Sequence, residues 1–210
     1  LSAALVGPLL AISLYQRSAY QALRAMRLAL TDTLSGLGNH RSFQERLKHE
    51  LLRAEADDEP FTLCMIDVDD FKRINDLYGH PVGDRVLASV GRRLRQNGEA
   101  FRLGGDEFAL LLPGVTADEA LSAAASVLAR IGSLELADVG SVTASAGVAG
   151  FPHQAFDRDE LIRLADSALY WAKEHGKNRV HVYRPDVVEL AELRRLAHGP
   201  DRAARFRAAA

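Results

Sequence analysis

The sequence has little cysteine, little net charge and no long apolar segment. Cys64 is the one cysteine in 210 residues, so an internal disulfide is excluded, and this usage is typical of a reducing cytosol. Cys64 lies in an apolar run and is interpreted as a core residue rather than a nucleophile. The formal net charge of −2 gives no electrostatic reason to expect a nucleic-acid partner. We find no internal repeat.

The N-terminal segment is apolar but short. Leu1 to Tyr15 falls below the roughly 20 residues that span a bilayer. Since the chain begins at Leu1 and not Met, we expect a fragment of a longer protein that starts at the cytoplasmic end of a transmembrane helix. Spacings of four and three predict a coiled-coil seam, formed by Leu5, Leu9, Ile12, Gln16, Ala19, Leu23, Met26 and Leu30. A helix packed on its own domain is an equally good interpretation.

The rest of the chain alternates between helical and strand patterns. Helices are predicted at Phe43 to Ala56, Val82 to Gln96, Ala117 to Ile131 and Glu160 to His175. Strands are predicted at Phe61 to Asp67, Ala100 to Leu103, Phe108 to Leu112, Ser141 to Ala149 and Arg179 to Tyr183. This alternation is typical of an α/β sandwich with a central mixed sheet. We therefore divide the chain into an N-terminal helix (1–30), one α/β domain (31–184) and a C-terminal helix with a basic tail (185–210).

Two glycines and two carboxylates lie between two of the predicted strands. Gly104 and Gly105 predict a β-hairpin turn, because primed turns need positive φ. A turn without Cβ atoms also lets a phosphate approach its backbone N–H groups. Asp106 and Glu107 would then lie at the tip, either solvated or bound to a cation.

A second acidic segment directly follows an apolar strand. If Asp67 and Asp106 came from neighbouring strands, their like charges would raise one pKa unless a divalent cation neutralised them. Hard oxygen ligands beside a phosphate favour Mg²⁺ or Mn²⁺. Asp69 and Asp70 are alternatively caps of the next helix, and for Asp70 we favour the cap over metal binding.

Several ordered segments resemble the GGDEF family of diguanylate cyclases. They are Asp32 to Asn39, Ile66 to His80 with Gly83 and Asp84, Arg102 to Phe108, Ser145 to Ala149, and Ala165 to Tyr170 with Lys173, Gly176, Lys177 and Asn178. Five blocks in order and at the family's spacing are far more specific than Gly-Gly-Asp-Glu-Phe alone. The resemblance implies a GGDEF (nucleotidyl-cyclase, palm-like) fold, with a central mixed β-sheet flanked by helices and an N-terminal signalling helix.

The resemblance also implies a reaction. Two GTP molecules condense to cyclic di-GMP and two pyrophosphates, each 3′-hydroxyl attacking the α-phosphate of the other. Asp67 and Asp106 match the metal-binding carboxylates, and the carbonyl of Val68 matches a further ligand, for two Mg²⁺ or Mn²⁺ ions per half-site. Glu107 matches the second acid, which completes the metal shell or assists the nucleophile.

Further matches imply a nucleotide site. Asn75 and Asp84 match the residues that bind guanine, whose N1–H and N2–H₂ groups suit a carboxylate. From the sequence alone, Asn75 could instead be a helix-end turn residue, and Asp84 an N-cap after Gly83. The remaining positions implied to contact substrate are Phe71, Lys72, Gly104, Gly105, Lys173 and Lys177. Lys177 stands where the family usually has arginine, and the three lysines are alternatively ordinary surface residues.

One match is incomplete. The family's product-inhibition motif, Arg-x-x-Asp, is here Arg95-Gln96-Asn97-Gly98, with glycine in place of the acid. We hypothesise that inhibition by cyclic di-GMP is weakened.

The reaction has consequences for the assembly. The chain has one glycine turn, whereas the product is two-fold symmetric, so we expect a homodimer. We also expect the chain to be the cytoplasmic domain of a bacterial protein that is anchored in the inner membrane or attached to a sensory domain. The alternatives are a catalytically silent receptor for GTP or cyclic di-GMP and a structural dimerisation module.

Overall fold

A computed structural model describes residues 11–21, 30–96 and 98–184 of the chain. Helix α1 is described over residues 11–21. The other helices are α2 (His40–Asp57), α3 (Phe71–Tyr78), α4 (His80–Leu94), α5 (Ala117–Gly132) and α6 (Arg158–Glu174). The strands are β1 (Phe61–Val68), β2 (Glu99–Gly104), β3 (Glu107–Pro113), β4 (Glu135–Leu136), β5 (Gly140–Ser141), β6 (Ala144–Phe151) and β7 (Val180–Val182).

Five strands form the central sheet in the order β2-β3-β1-β6-β7. Neighbouring strands are antiparallel except for the parallel pair β6 and β7, which confirms the predicted mixed sheet. All eight residues of the central strand β1 are buried. A strand covered on both faces becomes uniformly apolar, and this explains why β1 has no alternating polar pattern.

Helices cover both faces of the sheet. One core layer joins α4 and α5 to the face that contains Cys64 and Ile66. The other joins α2 and α6 to the face that contains Leu63 and Met65. The structure therefore confirms a helix–sheet–helix sandwich, with β1 contributing alternate residues to each layer.

Three of the helices begin with side-chain caps. Asn39 accepts a hydrogen bond from the Ser42 amide before α2, and Asp157 accepts one from the Glu160 amide before α6. Thr116 and Glu119 form a reciprocal capping box at α5. These caps satisfy amides that have no partner within the helix, and they fix the residue at which each helix begins.

Two local predictions are wrong. Helix α4 begins at His80 with proline in its first turn, so Asp84 lies inside the helix and is not its N-cap. The strand predicted over Ser141 to Ala149 is divided, because Gly140–Ser141 pairs with Glu135–Leu136 in a separate hairpin and β6 begins at Ala144.

The termini lie mostly outside the described residues. Of the proposed coiled-coil seam, Ile12, Gln16, Ala19 and Leu30 are described. Ile12 is 54% exposed and Tyr15 is 76% exposed, so the described part of α1 does not support a helix packed on its own domain. The coiled coil stays a prediction. No helix in the described ranges is long and apolar enough to cross a membrane, and the predicted helix and tail at 185–210 lie outside those ranges.

Candidate active site

The predicted glycine turn joins β2 to β3. Gly105 and Asp106 form its two central residues between Gly104 and Glu107, so Glu107 is the first residue of β3. Both glycines have positive φ, 145° at Gly104 and 52° at Gly105, and a Cβ at either would meet no atom within 4 Å. The hairpin prediction is confirmed, and the turn presents open backbone to a ligand.

Acidic residues of β1, β3 and the glycine turn adjoin one another at this end of the sheet. Asp67 on β1 lies opposite Glu107 on β3, and the Val68 amide donates to the Asp106 carbonyl at 3.2 Å. Asp106 itself lies in the turn and not on a strand, so the expectation of two neighbouring strands holds for Asp67 and Glu107, with Asp106 adjoining them through its carbonyl.

Two lysines, Lys173 in the last turn of α6 and Lys177 just after that helix, face these acids. The Nζ of Lys173 lies 2.6 Å from Oδ1 of Asp67, a carboxylate with no exposed surface. A buried carboxylate requires such a counter-charge. The Nζ of Lys177 lies 2.6 Å from Oδ1 of Asp70, and this hydrogen bond raises the pKa of Lys177. The structure thus brings Lys173 and Lys177 to the acids, which sequence motifs alone did not pair.

Asp70 and Lys72 lie at the start of α3, and the prediction for Asp70 holds only in part. Asp70 occupies the N-cap position, but its backbone is left-handed (φ 55°) and its side chain makes no cap hydrogen bond. The cap position that we favoured for Asp70 is therefore correct, but its side-chain cap does not form, and the carboxylate pairs with Lys177 instead. Lys72 is exposed on the first turn of α3.

The proposed guanine-binding residues lie where α3 meets α4. A Cβ at Gly83 would overlap Oδ1 of Asn75 and lie 3.1 Å from the ring of Phe71. Gly83 therefore makes room for the Asn75 amide, whose Oδ1 is buried without a hydrogen-bond partner among the described residues. Asn75 lies inside α3 and not at its end, and the exposed Asp84 follows Gly83 directly.

Arg102 stabilises the glycine turn through its side chain, a role that the sequence did not indicate. Its guanidinium donates to the Gly105 carbonyl at 2.8 and 3.0 Å and pairs with Asp32 at 3.1 Å. Burial alone would raise the pKa of Asp32, but hydrogen bonds from Ser35 and Arg102 outweigh it and hold that pKa below 3.8.

The incomplete inhibition motif lies beside β2. The guanidinium of Arg95 donates to the carbonyls of Ser35 at 3.3 Å and of Gly36 at 2.8 Å. Gly98 has φ 124°, a conformation that an aspartate rarely adopts. This backbone is therefore built for the glycine that the chain has.

The described residues contain no group of three or more His, Cys, Asp or Glu side chains that could hold a metal. The predicted donor set is smaller, with two carboxylates and the Val68 carbonyl. Mg²⁺ is commonly bound by one or two carboxylates, with substrate phosphates and water completing its shell. Hard oxygens at the adjoining ends of β1 and β3 fit that description.

Together these features define an α/β domain with acids, lysines and an open glycine turn at one end of a mixed sheet. The chain belongs to the GGDEF diguanylate cyclase family, since the family model "Diguanylate cyclase, GGDEF domain" matches residues 29–179.

Two curated relatives are similar to most of this chain, and one of them is named as a diguanylate cyclase. The chain is 41% identical over 160 residues to "Uncharacterized protein YhcK" of Bacillus subtilis (strain 168), covering 71% of this chain and 44% of that protein. It is 40% identical over 154 residues to "Diguanylate cyclase DgcM" of Escherichia coli (strain K12), covering 71% of this chain and 37% of that protein. The chain therefore matches less than half the length of these two relatives.

Solved structures show the same fold. The coiled coil and GGDEF domain of DgcB from Caulobacter crescentus, in complex with c-di-GMP, aligns with a TM-score of 0.79 at 26% identity, covering 86% of this chain and 100% of that chain. Diguanylate cyclase SiaD from Pseudomonas aeruginosa, in complex with its activator SiaC, aligns with a TM-score of 0.69 at 32% identity, covering 84% of this chain and 72% of that chain.

Proposed function

We propose that this chain is a diguanylate cyclase whose catalytic domain is 31–184. The chain is a member of this family, and the observation that carries the proposal is that the buried Asp67 lies beside the Gly104–Glu107 turn. The proposed reaction joins two GTP molecules. Each 3′-oxygen forms a bond to the other molecule's α-phosphorus, the bond to the β-phosphate breaks, and pyrophosphate leaves while the hydroxyl proton passes to water.

The chain's own groups position the reacting phosphates. The open backbone of Gly104 and Gly105 admits a phosphate to the turn amides, as oriented N–H groups favour anions. Lys173 and Lys177 provide positive charge opposite the turn, and Lys72 extends it along α3. Phosphoryl transfer depends mainly on such positioning and charge neutralisation.

We propose Asp67, Asp106 and the Val68 carbonyl as ligands of Mg²⁺ or Mn²⁺, with two ions per half-site. When bound, the metal neutralises phosphate charge and lowers the pKa of the 3′-hydroxyl. Asp67 would exchange its contact with Lys173 for this cation, which frees the lysine for the phosphates. Glu107, opposite Asp67, is the further acid available to the site.

We propose that guanine binds between α3 and α4. The buried Oδ1 of Asn75 has no partner among the described residues and can accept from a base amine. Asp84 can accept from N1–H and N2–H₂, donors that adenine does not present together. Phe71 borders the same space. This pair predicts preference for GTP over ATP.

The symmetric product requires two such sites to face each other. The described residues provide one glycine turn and one Asn75–Asp84 pair, so we propose a homodimer with isologous contacts. The alignment with a DgcB structure that includes a coiled coil supports pairing through the N-terminal helix. A sensory or membrane segment before it would set how often the sites meet.

We also propose weakened inhibition by cyclic di-GMP. Gly98 replaces the motif's acid, and Arg95 already donates to two backbone carbonyls. A titration with cyclic di-GMP measures this directly, and a submicromolar inhibition constant would contradict it.

The central test is cyclic di-GMP formation from GTP and Mg²⁺ across a range of protein concentrations, with Asp106→Ala as the control. Yield per protomer that rises with concentration and disappears in the variant supports a dimeric cyclase. Tight GTP binding without product at any concentration would instead favour the silent receptor, and no nucleotide binding would favour a structural module.

A further inference from the structure

Asp69 lies between the proposed metal ligand Asp67 and the lysine-paired Asp70, yet none of the roles above uses it. It is 6% exposed. Its Oδ1 accepts a hydrogen bond from the Ser145 hydroxyl at 2.7 Å. Its Oδ2 accepts from the Thr143 hydroxyl at 2.8 Å and from the backbone amide of Asn178 at 3.1 Å. One buried carboxylate therefore joins the end of β1 to the start of β6 and to the turn after α6.

The turn that Asp69 holds is strained. Gly176, Lys177 and Asn178 follow one another with φ of 109°, 57° and 48°. Left-handed backbone is unfavourable for residues with a Cβ and persists where surrounding contacts impose it. The Lys177 amide bonds to the Ala172 carbonyl, and the Asn178 amide bonds to Asp69. These two contacts act on the turn together with Arg179, whose Nε donates to the Lys177 carbonyl at 3.2 Å, and Asp69 is the carboxylate among them.

The strained turn controls the direction of a lysine. Lys177 leaves the turn toward Asp70, whose own backbone is also left-handed. One helical turn earlier, Lys173 faces Asp67. If the Asn178 amide were released, the left-handed path would relax and Lys177 would point elsewhere.

We infer that Asp69 is a positioning residue, which uses its bond to the Asn178 amide to aim Lys177 at the phosphates of the bound nucleotide. This inference rests on the proposed nucleotide site. Asp69 acts through Lys177 and touches neither substrate nor metal in this role. A purely structural Asp69 would stabilise the fold without affecting what Lys177 contributes to binding.

A double-mutant cycle separates the two roles. We would measure the affinity of the full 210-residue chain for a non-hydrolysable GTP analogue with Mg²⁺ by calorimetry, in wild type, Asp69→Asn, Lys177→Met and the double variant. Asp69→Asn preserves shape but places an NH₂ group or a weaker acceptor against the three donors. We expect about a tenfold loss of affinity in each single variant, the equivalent of one charge-assisted hydrogen bond. The double variant should be no worse than either.

Ser145→Ala is the matched control. It removes a hydrogen bond from the same carboxylate but on the side away from the turn. We expect it to lower the unfolding temperature while leaving analogue affinity within about twofold, the scatter of additivity between uncoupled sites. Additive losses for Asp69→Asn and Lys177→Met, or an equal affinity loss in Ser145→Ala, would overturn the inference.

Amide hydrogen exchange tests the hydrogen bond from Asn178 to Asp69 in the wild-type chain, with no nucleotide and no substitution. Asn178 is exposed, so its amide should exchange slowly in the wild-type chain solely because Asp69 accepts from it. Fast exchange at Asn178 would refute the inference even if the chain proves to be a cyclase. Slow exchange in a chain that binds no GTP analogue would refute the proposed function while leaving the contact intact.

Discussion

Two regions of this domain use glycine for opposite reasons. At Gly147 on β6, a Cβ would overlap the Ala165 carbonyl and the Leu169 amide of α6, so the helix rests directly on the strand. At Gly104 and Gly105, a Cβ would meet nothing within 4 Å. The first region is closed and positions Lys173 on α6, whereas the second is open toward a ligand. Substitutions in the first region should therefore mainly lower stability, and substitutions in the second should mainly lower ligand binding.

The largest effect is expected from Gly147→Ala. The added methyl meets backbone on α6, which cannot rotate away as a side chain can, so we expect a loss of about 3 kcal/mol or more in the free energy of unfolding. Urea denaturation measures it. Gly132→Ala is the control, because a Cβ at the last residue of α5 meets no atom within 4 Å. Unchanged stability in Gly147→Ala would contradict the close approach.

Gly105→Ala should lower the free energy of unfolding less than Gly147→Ala does, but it should lower catalytic activity more. Its φ of 52° imposes about 1–2 kcal/mol of strain on alanine, and relaxation of the turn would move amides away from a phosphate. Gly114→Ala is a matched control, with φ 68° and equally open space at the other end of β3. We expect similar denaturation curves, but about a tenfold lower kcat/KM only for Gly105→Ala. Equal activities would remove the turn from the site.

Gly83→Ala lies between the two extremes. The methyl meets the movable Asn75 side chain, so we expect a loss of about 1 kcal/mol in stability. Displacement of the amide should weaken GTP binding about tenfold, the value of one hydrogen bond. In calorimetry, Gly83→Ala combined with Asn75→Ala should bind no worse than Asn75→Ala alone. A further loss in the double variant would show that Gly83 acts through something else.

The smallest effect should come from Asp32, which supports the open turn through Arg102. Its pKa is held below 3.8 in the folded state, so its ionised form stabilises the fold above that value and this contribution disappears as pH falls through the lower, folded pKa. At pH 7 we expect Asp32→Asn to lose about 0.5 kcal/mol, because the pair is partly exposed. The difference from wild type should disappear as pH falls through the lowered, folded pKa of Asp32, and a difference that persists below it would exclude this ionic origin.

The sequence predicted elements whose burial imposes a pattern. Helix α6 and strand β1 were located to within two residues, because one is apolar on a single face and the other is buried along its length with an apolar run from Leu63 to Ile66. The hairpin of β4 and β5 was missed because strands of two residues have no measurable period. Pro81 did signal the start of α4, and using it would have placed Asp84 inside the helix.

The site was predictable as a set of residues but not as a set of contacts. Asp67 and the lysines were proposed as site residues from motifs, whereas Asp70 was interpreted as a helix cap, and the ion pairs among them depend on how α6 crosses β1. Asp69 and Arg102 act on segments distant in the chain. No local pattern distinguishes a carboxylate that holds a remote turn from one that caps a helix.

The edges of the sheet determine how two copies of this domain can meet. Along β2, Gly38 accepts from the Arg102 amide and donates to the Ala100 carbonyl, which occupies hydrogen-bonding groups that another strand would need. At the opposite edge, β7 has only three residues. Covered or short edges resist strand-to-strand polymerisation. Association between copies should therefore be reversible and side-chain mediated, leaving each sheet discrete even at high local concentration.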